Sequence, residues 1–191
     1  MASSYSSDLS LELITTGEKA GLWGTITNTN LQILQQAASG YVAVPMTSGT
    51  DVTLSLADGS DTANGKNLYL KLTGTMTASI SLIIPTATSG GTATRTYIIE
   101  DTTDRTTANN YTINIKTAGS STPVPLPEGA NIIVRSDGTD TVLAFIKPGI
   151  KNITAATITN YTSVNGDQVV VDTQANAVTI TLPITPTITD E

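Results

Sequence analysis

From Tyr41 onward the chain is written in short alternating stretches, and this period of two limits its fold more than any other feature. "VTLSL" (Val52–Leu56) and "NLYLKL" (Asn67–Leu72) alternate apolar and polar residues, and "ASISLIIP" (Ala78–Pro85) does so before its apolar end. "TYIIE" (Thr96–Glu100), "YTINIK" (Tyr111–Lys116) and "ANIIVRSDGTDTVLAFI" (Ala130–Ile146) continue the series. Alternating side chains fall on opposite faces of a strand, so one face can be buried while the other meets water. Gly, Asp, Asn and Pro punctuate the stretches, and Asp137-Gly138 between two apolar-rich arms marks the clearest hairpin. Strands recurring this closely predict a mainly-β fold, an antiparallel β-sandwich or jelly-roll-like module.

The N-terminal part follows a different rule. "GEKAGLWGTITNTNLQILQQAASGY" (Gly17–Tyr41) holds the only Trp of the chain. From about Thr25, the residues Ile26, Leu31, Leu34, Ala37 and Ala38 approximate helical spacing, with Ile33 alongside. Thr29 and Gln32 are placed for a capping box and Gly40 for a C-terminal stop. A helix of about three turns is marginal alone in water, so it must pack on something. Before it, "LELI" (Leu11–Ile14) suits a brief extended piece.

Three parts follow: an attachment segment with a short helix over 1–40, a β-sandwich-like domain over 41–148, and a partial second β module over 149–191. "KPGI" (Lys147–Ile150) marks the last boundary. Beyond it, "GDQVVVDTQANAVTITLP" (Gly166–Pro183) repeats the plan of Asn67–Pro85: strand, polar turn, alternating strand, Pro. Only "ITPTITDE" follows. The expectation is a chain that continues, or strands that complete themselves on other subunits, because exposed edges are normally covered.

Composition narrows the chemistry. The 191 residues contain no Cys and no His, which removes thiol nucleophiles, disulfides, the usual zinc sites and Ser-His-Asp triads. Charged residues are 13% of the chain and the formal net charge is −7, an acidic surface without basic clusters that disfavours nucleic acid. "MASSYSSDLS" lacks a signal-peptide pattern, and no apolar run approaches the roughly 18–20 residues of a membrane span, so no membrane insertion is expected. The absence of Cys suits assembly in a reducing cytoplasm.

Several constellations have a chemical and a plain explanation. Glu100, Asp101, Asp104 and Arg105 in "EDTTDR" could supply the acid pair of a glycosidase, but a solvated β-turn is preferred, since turns select Asp. Asp58, Asp61 and Asn64 in "ADGSDTANGKN" suggest a calcium loop yet miss the EF-hand register, so a hairpin loop is preferred; Asp137 and Asp140 read the same way. "SGG" (Ser89–Gly91) and "AGSS" (Ala118–Ser121) open no helix and read as flexible loops, not phosphate cradles. No cofactor or metal site is expected, and no catalytic residue. Tyr69, Tyr97 and Tyr111 are scattered, which weighs against a sugar platform. Trp23 keeps two readings: a core anchor, or an interface anchor around which Gly21 and Gly24 let the backbone turn tightly.

Two motifs carry a resemblance. Gly17, Glu18, Gly21, Trp23, Gly24, Asn28, Asn30 and Leu31 form a pattern similar to the N-terminal region of many tailed-bacteriophage fibre and virion structural proteins. Gly166, Asp167, Asp172, Thr173, Thr179, Ile180, Thr181, Leu182 and Pro183 resemble segments of phage tail fibres and related appendages. The resemblance implies a virion component assembled in the host cytoplasm: a non-enzymatic, homotrimeric tail fibre or fibre-like appendage subunit, anchored by its N-terminal region to tail, neck or capsid proteins. The expected interface residues are Trp23, Gly24, Ile26, Asn28, Asn30, Leu31, Leu34 and Ala38. A tail fibre continues into a long shaft and receptor-binding tip, so contact with the host surface is expected in regions beyond this chain. The alternatives are a head fibre or capsid decoration protein, a carbohydrate-binding β-sandwich module, and a depolymerase using Asp101 and Asp104.

Overall fold

A computed structural model describes residues 3–105, 111–120, 122–147, 150–154, 160–162, 168–172 and 179–181. The N-terminal arm carries two short strands, β1 (Ser4–Tyr5) and β2 (Glu12–Leu13), paired antiparallel. A 17-residue helix, α1 (Trp23–Ser39), follows and runs almost directly into the first strand of the body. The helix starts two residues before the sequence expectation. Its N-cap is Leu22, with no side-chain cap bond, so Thr29 and Gln32 lie inside the helix and form no capping box there. Gly40 does end it, through its N–H to the Gln36 carbonyl at 2.8 Å, but in an extended conformation that leads straight into β3.

The body winds between two sheets. In chain order its strands are β3 (Tyr41–Pro45), β4 (Val52–Thr53), β5 (Tyr69–Thr75), β6 (Ile80–Ile84), the small hairpin β7 (Ala87–Thr88) and β8 (Gly91–Thr92), β9 (Arg95–Asp104), β10 (Ile113–Thr117), β11 (Val124–Leu126), β12 (Asn131–Ser136) and β13 (Thr141–Lys147). One sheet has the order β13-β12-β9-β5-β3 and the other β11-β10-β6-β4. Within the first, β3, β5 and β9 are mutually parallel, with Tyr41 beside Tyr69 and Tyr69 beside Ile98. Within the second, β4, β6 and β10 are parallel, with Val52 beside Leu82 and Leu82 beside Ile115. Each pass through both sheets is therefore one turn of a flattened coil, and three turns stack before the chain reverses. Antiparallel pairing closes the stack through β11 on β10, β12 on β9 and β13 on β12.

The mainly-β class and the N-terminal helix hold, and two sheets do face each other across one core. The expected antiparallel pairing is corrected: the coil itself is parallel, and only its closing strands are antiparallel. Alternation tells which face of a strand is buried, and says nothing about the direction of the neighbour.

The core is formed by inward positions of both sheets. Val44, Leu70, Leu72, Tyr97, Ile99, Ile132 and Val134 come from one, and Ile80, Leu82, Ile84, Ile113, Ile115, Val124 and Leu126 from the other. Each large apolar side chain removed from water here contributes roughly 1.5–3 kcal/mol. The expected hairpin is present: β12 and β13 pair across 136–141, with Asp137 Oδ1 accepting the N–H groups of Thr139 and Asp140, both at 2.9 Å. Those bonds hold the Asp137 carboxyl below its ordinary value, Asp140 first and Thr139 second. Gly138 takes the left-handed φ of 91° that the turn requires.

Toward the C-terminus the same winding recurs in shorter strands. β14 (Ile150–Thr154) runs parallel to β16 (Gln168–Asp172), and β15 (Asn160–Thr162) parallel to β17 (Thr179–Thr181). The two halves of the Gly166–Pro183 motif thus pair with preceding strands instead of with each other. Gly166, Asp167, Thr173, Leu182 and Pro183 lie outside the described residues, as do Pro148 and Gly149 of the expected boundary.

Candidate attachment surface

Residues 3–13 form a strap laid across the body. Ser10, wholly buried, donates its hydroxyl to the Leu56 carbonyl and accepts the Gly59 N–H at its own carbonyl. Asp8 Oδ1 accepts from the Thr94 N–H at 2.8 Å and from its hydroxyl, while the Asp8 carbonyl accepts from Arg95. Thr88 donates to the Ser7 carbonyl at 2.7 Å. Gly90 is required at this contact, because a Cβ there would lie 2.4 Å from the Tyr5 carbonyl oxygen. The "SGG" stretch is therefore a hairpin turn pressed against the strap, where the sequence suggested a flexible loop.

A compact loop then carries the chain to α1. Gly17, Lys19 and Gly21 all have left-handed φ values, of 86°, 57° and 79°. Lys19 is held there by Glu12 at 2.7 Å and by the Ser3 hydroxyl at 2.7 Å. The hydrogen bond with Lys19 is the main reason the Glu12 carboxyl titrates below its usual value, and the same bond raises Lys19. The loop delivers Leu22 and Trp23 to the surface, 56% and 63% exposed.

The helix has three faces. Ile33 is fully buried, Ile26, Asn30 and Ala37 are half-buried beside it, and Gln36 donates its side-chain amide to the Asp61 carbonyl. Asn30 clamps β2 by accepting the Glu12 N–H at 3.0 Å and donating to the Glu12 carbonyl at 2.9 Å. A second stripe, Trp23, Leu31, Leu34 and Ala38, turns away from the body, with Thr27 half-buried among them; Leu31 is 57% and Leu34 43% exposed. The third arc, with Thr25, Asn28, Gln32, Gln35 and Ser39, is polar and exposed.

Of the expected interface residues, Trp23, Gly24, Asn28, Leu31, Leu34 and Ala38 are thus on the surface, while Ile26 and Asn30 face the chain's own body. The core-anchor reading of Trp23 is overturned by its exposure. Helical spacing alone could not separate the two stripes, because both repeat at three and four residues.

The other candidates resolve differently. "EDTTDR" is no turn: β9 runs through it, and residues three apart on a strand point to opposite faces, so Asp101 is buried and Asp104 exposed. Asp101 meets Arg105 at 2.6 Å and accepts from the Thr103 N–H, the Thr103 hydroxyl and the Gly129 N–H. Arg105 also donates to the Leu126 carbonyl at 2.9 Å, so the pair ties β9 to β11 and to the turn before β12. Sequence reasoning saw these residues and missed their burial.

Asn64 accepts the Ser55 N–H at 2.7 Å, and Asp58 binds the Ser89 hydroxyl at the rim of an open groove of about 590 Å³. Among the described residues no three His, Cys, Asp or Glu side chains are grouped to hold a metal. Tyr97 is buried and donates to the Gly65 carbonyl, whereas Tyr69 stacks on the exposed Tyr41 at 5.8 Å and donates to Glu100, so Tyr97 and Tyr69 belong to different surroundings. Lys66 went unnoticed in the sequence. It is fully buried, and burial pushes its ammonium down to about 8 against the opposing pull of Asp58 and Asp61.

Comparison with family models, with curated proteins and with solved structures found no match.

Proposed function

We propose that this chain is a bacteriophage virion structural protein, a tail fibre or fibre-like appendage subunit that anchors to the particle through its N-terminal region. The observation that carries the reading is Trp23, the only Trp of the chain, 63% exposed at the start of α1 beside Leu22, where the preceding loop is held by Lys19 and Glu12. A large apolar ring held in water on an ordered support suits an interface anchor, the kind of residue on which binding energy concentrates. The strap and Asn30 fix the loop to the body, so a load on the anchor passes into the β-coil. The chain acts in this reading by assembly, as a homotrimer bound to tail, neck or capsid proteins, and performs no catalysis.

Gold-labelled antibody against this chain, viewed on purified particles, tests the proposal. Label on tail or neck supports a fibre or adaptor. Label spread over the capsid makes the chain a head fibre or decoration protein, and particles without label overturn the reading.

A further inference from the structure

We propose that the strap and α1 form one flap that lifts from the folded coil as a unit, and that the buried amine of Lys66 favours lifting whenever it carries a proton. The apolar core of the coil runs from Val44 to Val134 and takes in no residue of the strap or helix. Over residues 3–39 Ile33 is the one fully buried apolar side chain, with Ile26 and Ala37 half-buried beside it. Much of the hold is polar. The Ser10 hydroxyl donates to the Leu56 carbonyl at 3.1 Å, and the Gly59 N–H donates to the Ser10 carbonyl at 2.9 Å. From the helix, the Gln36 side chain donates to the Asp61 carbonyl, and the Gln36 carbonyl accepts the Leu68 N–H at 3.1 Å. Strap and helix thus grip one stretch of the body, 56–68, and Asn30 ties them to each other through Glu12, so they release together.

Lys66 lies in that stretch, in the 3-10 turn Asn64–Lys66 on which α1 packs. It is wholly buried, and its ammonium has no hydrogen-bond partner among the described residues. Two neighbours share the defect. Gln36 Oε1, on the flap, is buried without a partner, and so is Nε of Arg95, whose guanidinium donates to the Lys66 carbonyl at 2.8 Å. Native interiors leave few such atoms, and each costs the closed state the water it has lost. Lifting the flap opens this layer to water.

The proton on Lys66 decides how much is gained. Asp58 and Asp61, from the same stretch, favour the ammonium without bonding to it, and Arg95, from β9, opposes it. On the strap, Asp8 is taken up by Thr94 and Glu12 by Lys19; α1 carries no charged residue. Tyr97, which donates to the Gly65 carbonyl, stays neutral because burial pushes its phenol up to about 12. Burial outweighs the two carboxylates and brings the Lys66 amine from 10.5 down to about 8. An amine in water keeps the higher value, so the closed flap is penalised fully below about 8, and the penalty fades as pH rises toward 10.5. Leu22 and Trp23 ride on the flap, so Lys66 governs how firmly they are held to the coil.

Hydrogen exchange measured by NMR on the full chain reads the flap through Gly59 and Leu68, whose N–H acceptors, on Ser10 and Gln36, belong to it. After correction for intrinsic rates, both amides should gain about ten-fold in protection from about pH 6.5 to about pH 9, while the amides of β5, β6 and β9 keep theirs. Lys66→Met should show high protection at both amides, independent of pH. Ser10→Ala, which removes the bond to Leu56, should lower protection at Gly59 and Leu68 by the same factor, although Leu68 is bonded to the helix. A wild-type flap indifferent to pH, coil amides that change in step with it, a Lys66→Met chain that keeps the rise, or a Ser10→Ala loss confined to Gly59 overturns the inference.

Discussion

The β-coil and the N-terminal helix obey opposite rules of burial. In the coil, Leu70, Leu72, Tyr97, Ile99 and Ile115 are all sealed inside, and even its buried charges at Asp101 and Arg105 are paired and hydrogen-bonded. Along α1 Ile33 is buried with Ile26 and Ala37 half-buried beside it, while Trp23, Leu31 and Leu34 face water. A body that seals its large apolar groups, Tyr41 and Leu143 excepted, is built for stability; a helix that leaves a stripe of them outside is built to be covered. Substitutions in the coil should therefore cost folding free energy, and those on the outward stripe should cost assembly alone.

Asp101→Ala should produce the largest effect. It leaves the Arg105 guanidinium buried without its carboxylate, a loss of about 3–5 kcal/mol that urea denaturation would register. Ile33→Ala probes the join between the two regions and should cost roughly 2–4 kcal/mol. Its signature is distinct, because α1 should loosen in hydrogen exchange while the amides of β5, β6 and β9 stay protected. An equal loss of protection in coil and helix would show that they unfold as one unit.

Lys66→Met tests a weakness inside the body. A lysine whose folded value is depressed from 10.5 to about 8 penalises the folded state below about 8, and the penalty fades as pH rises toward 10.5, where the unfolded chain also loses its proton. The variant should be more stable than the wild type by about 1–3 kcal/mol near neutrality. Thermal melts across the range should show that gap closing by pH 10. A gap that stays constant would mean that Lys66 is not titrating in the folded state. Trp23→Ala should have the smallest effect on folding, within about 0.5 kcal/mol, and a large one on incorporation into particles. Wild-type incorporation would remove the anchor role.

Much of this contrast can be read in the letters of the chain. The strands at Tyr69–Thr75, Ile113–Thr117 and Asn131–Ser136 fall where the period of two places them, and the Asp137-Gly138 turn is local chemistry. The helix is legible too, yet its start is not, because Leu22 supplies no capping side chain to announce it. Asp101 misled for a related reason: "EDTTDR" has the composition of a turn, and only the neighbouring strands β5 and β12 hold it extended. The candidate surface was half legible. Trp23, Leu31 and Leu34 were identified by residue type, but the role of Asn30 in clamping β2 depends on where Glu12 arrives in space.

The sequence by itself determined the local alphabet of this protein: where strands and helix form, which turns are tight, and that an uncharged stretch from Ala20 to Thr50 sits at one end of an acidic chain. Those features follow from side-chain periodicity and backbone preference, which act over a few residues. Only the tertiary structure decided that the strands run parallel in a coil, that Lys66 and Asp101 are inside, and which of two helical stripes meets the body. Each of these depends on groups far apart in the chain, and their energies arise from desolvation and packing once those groups have met.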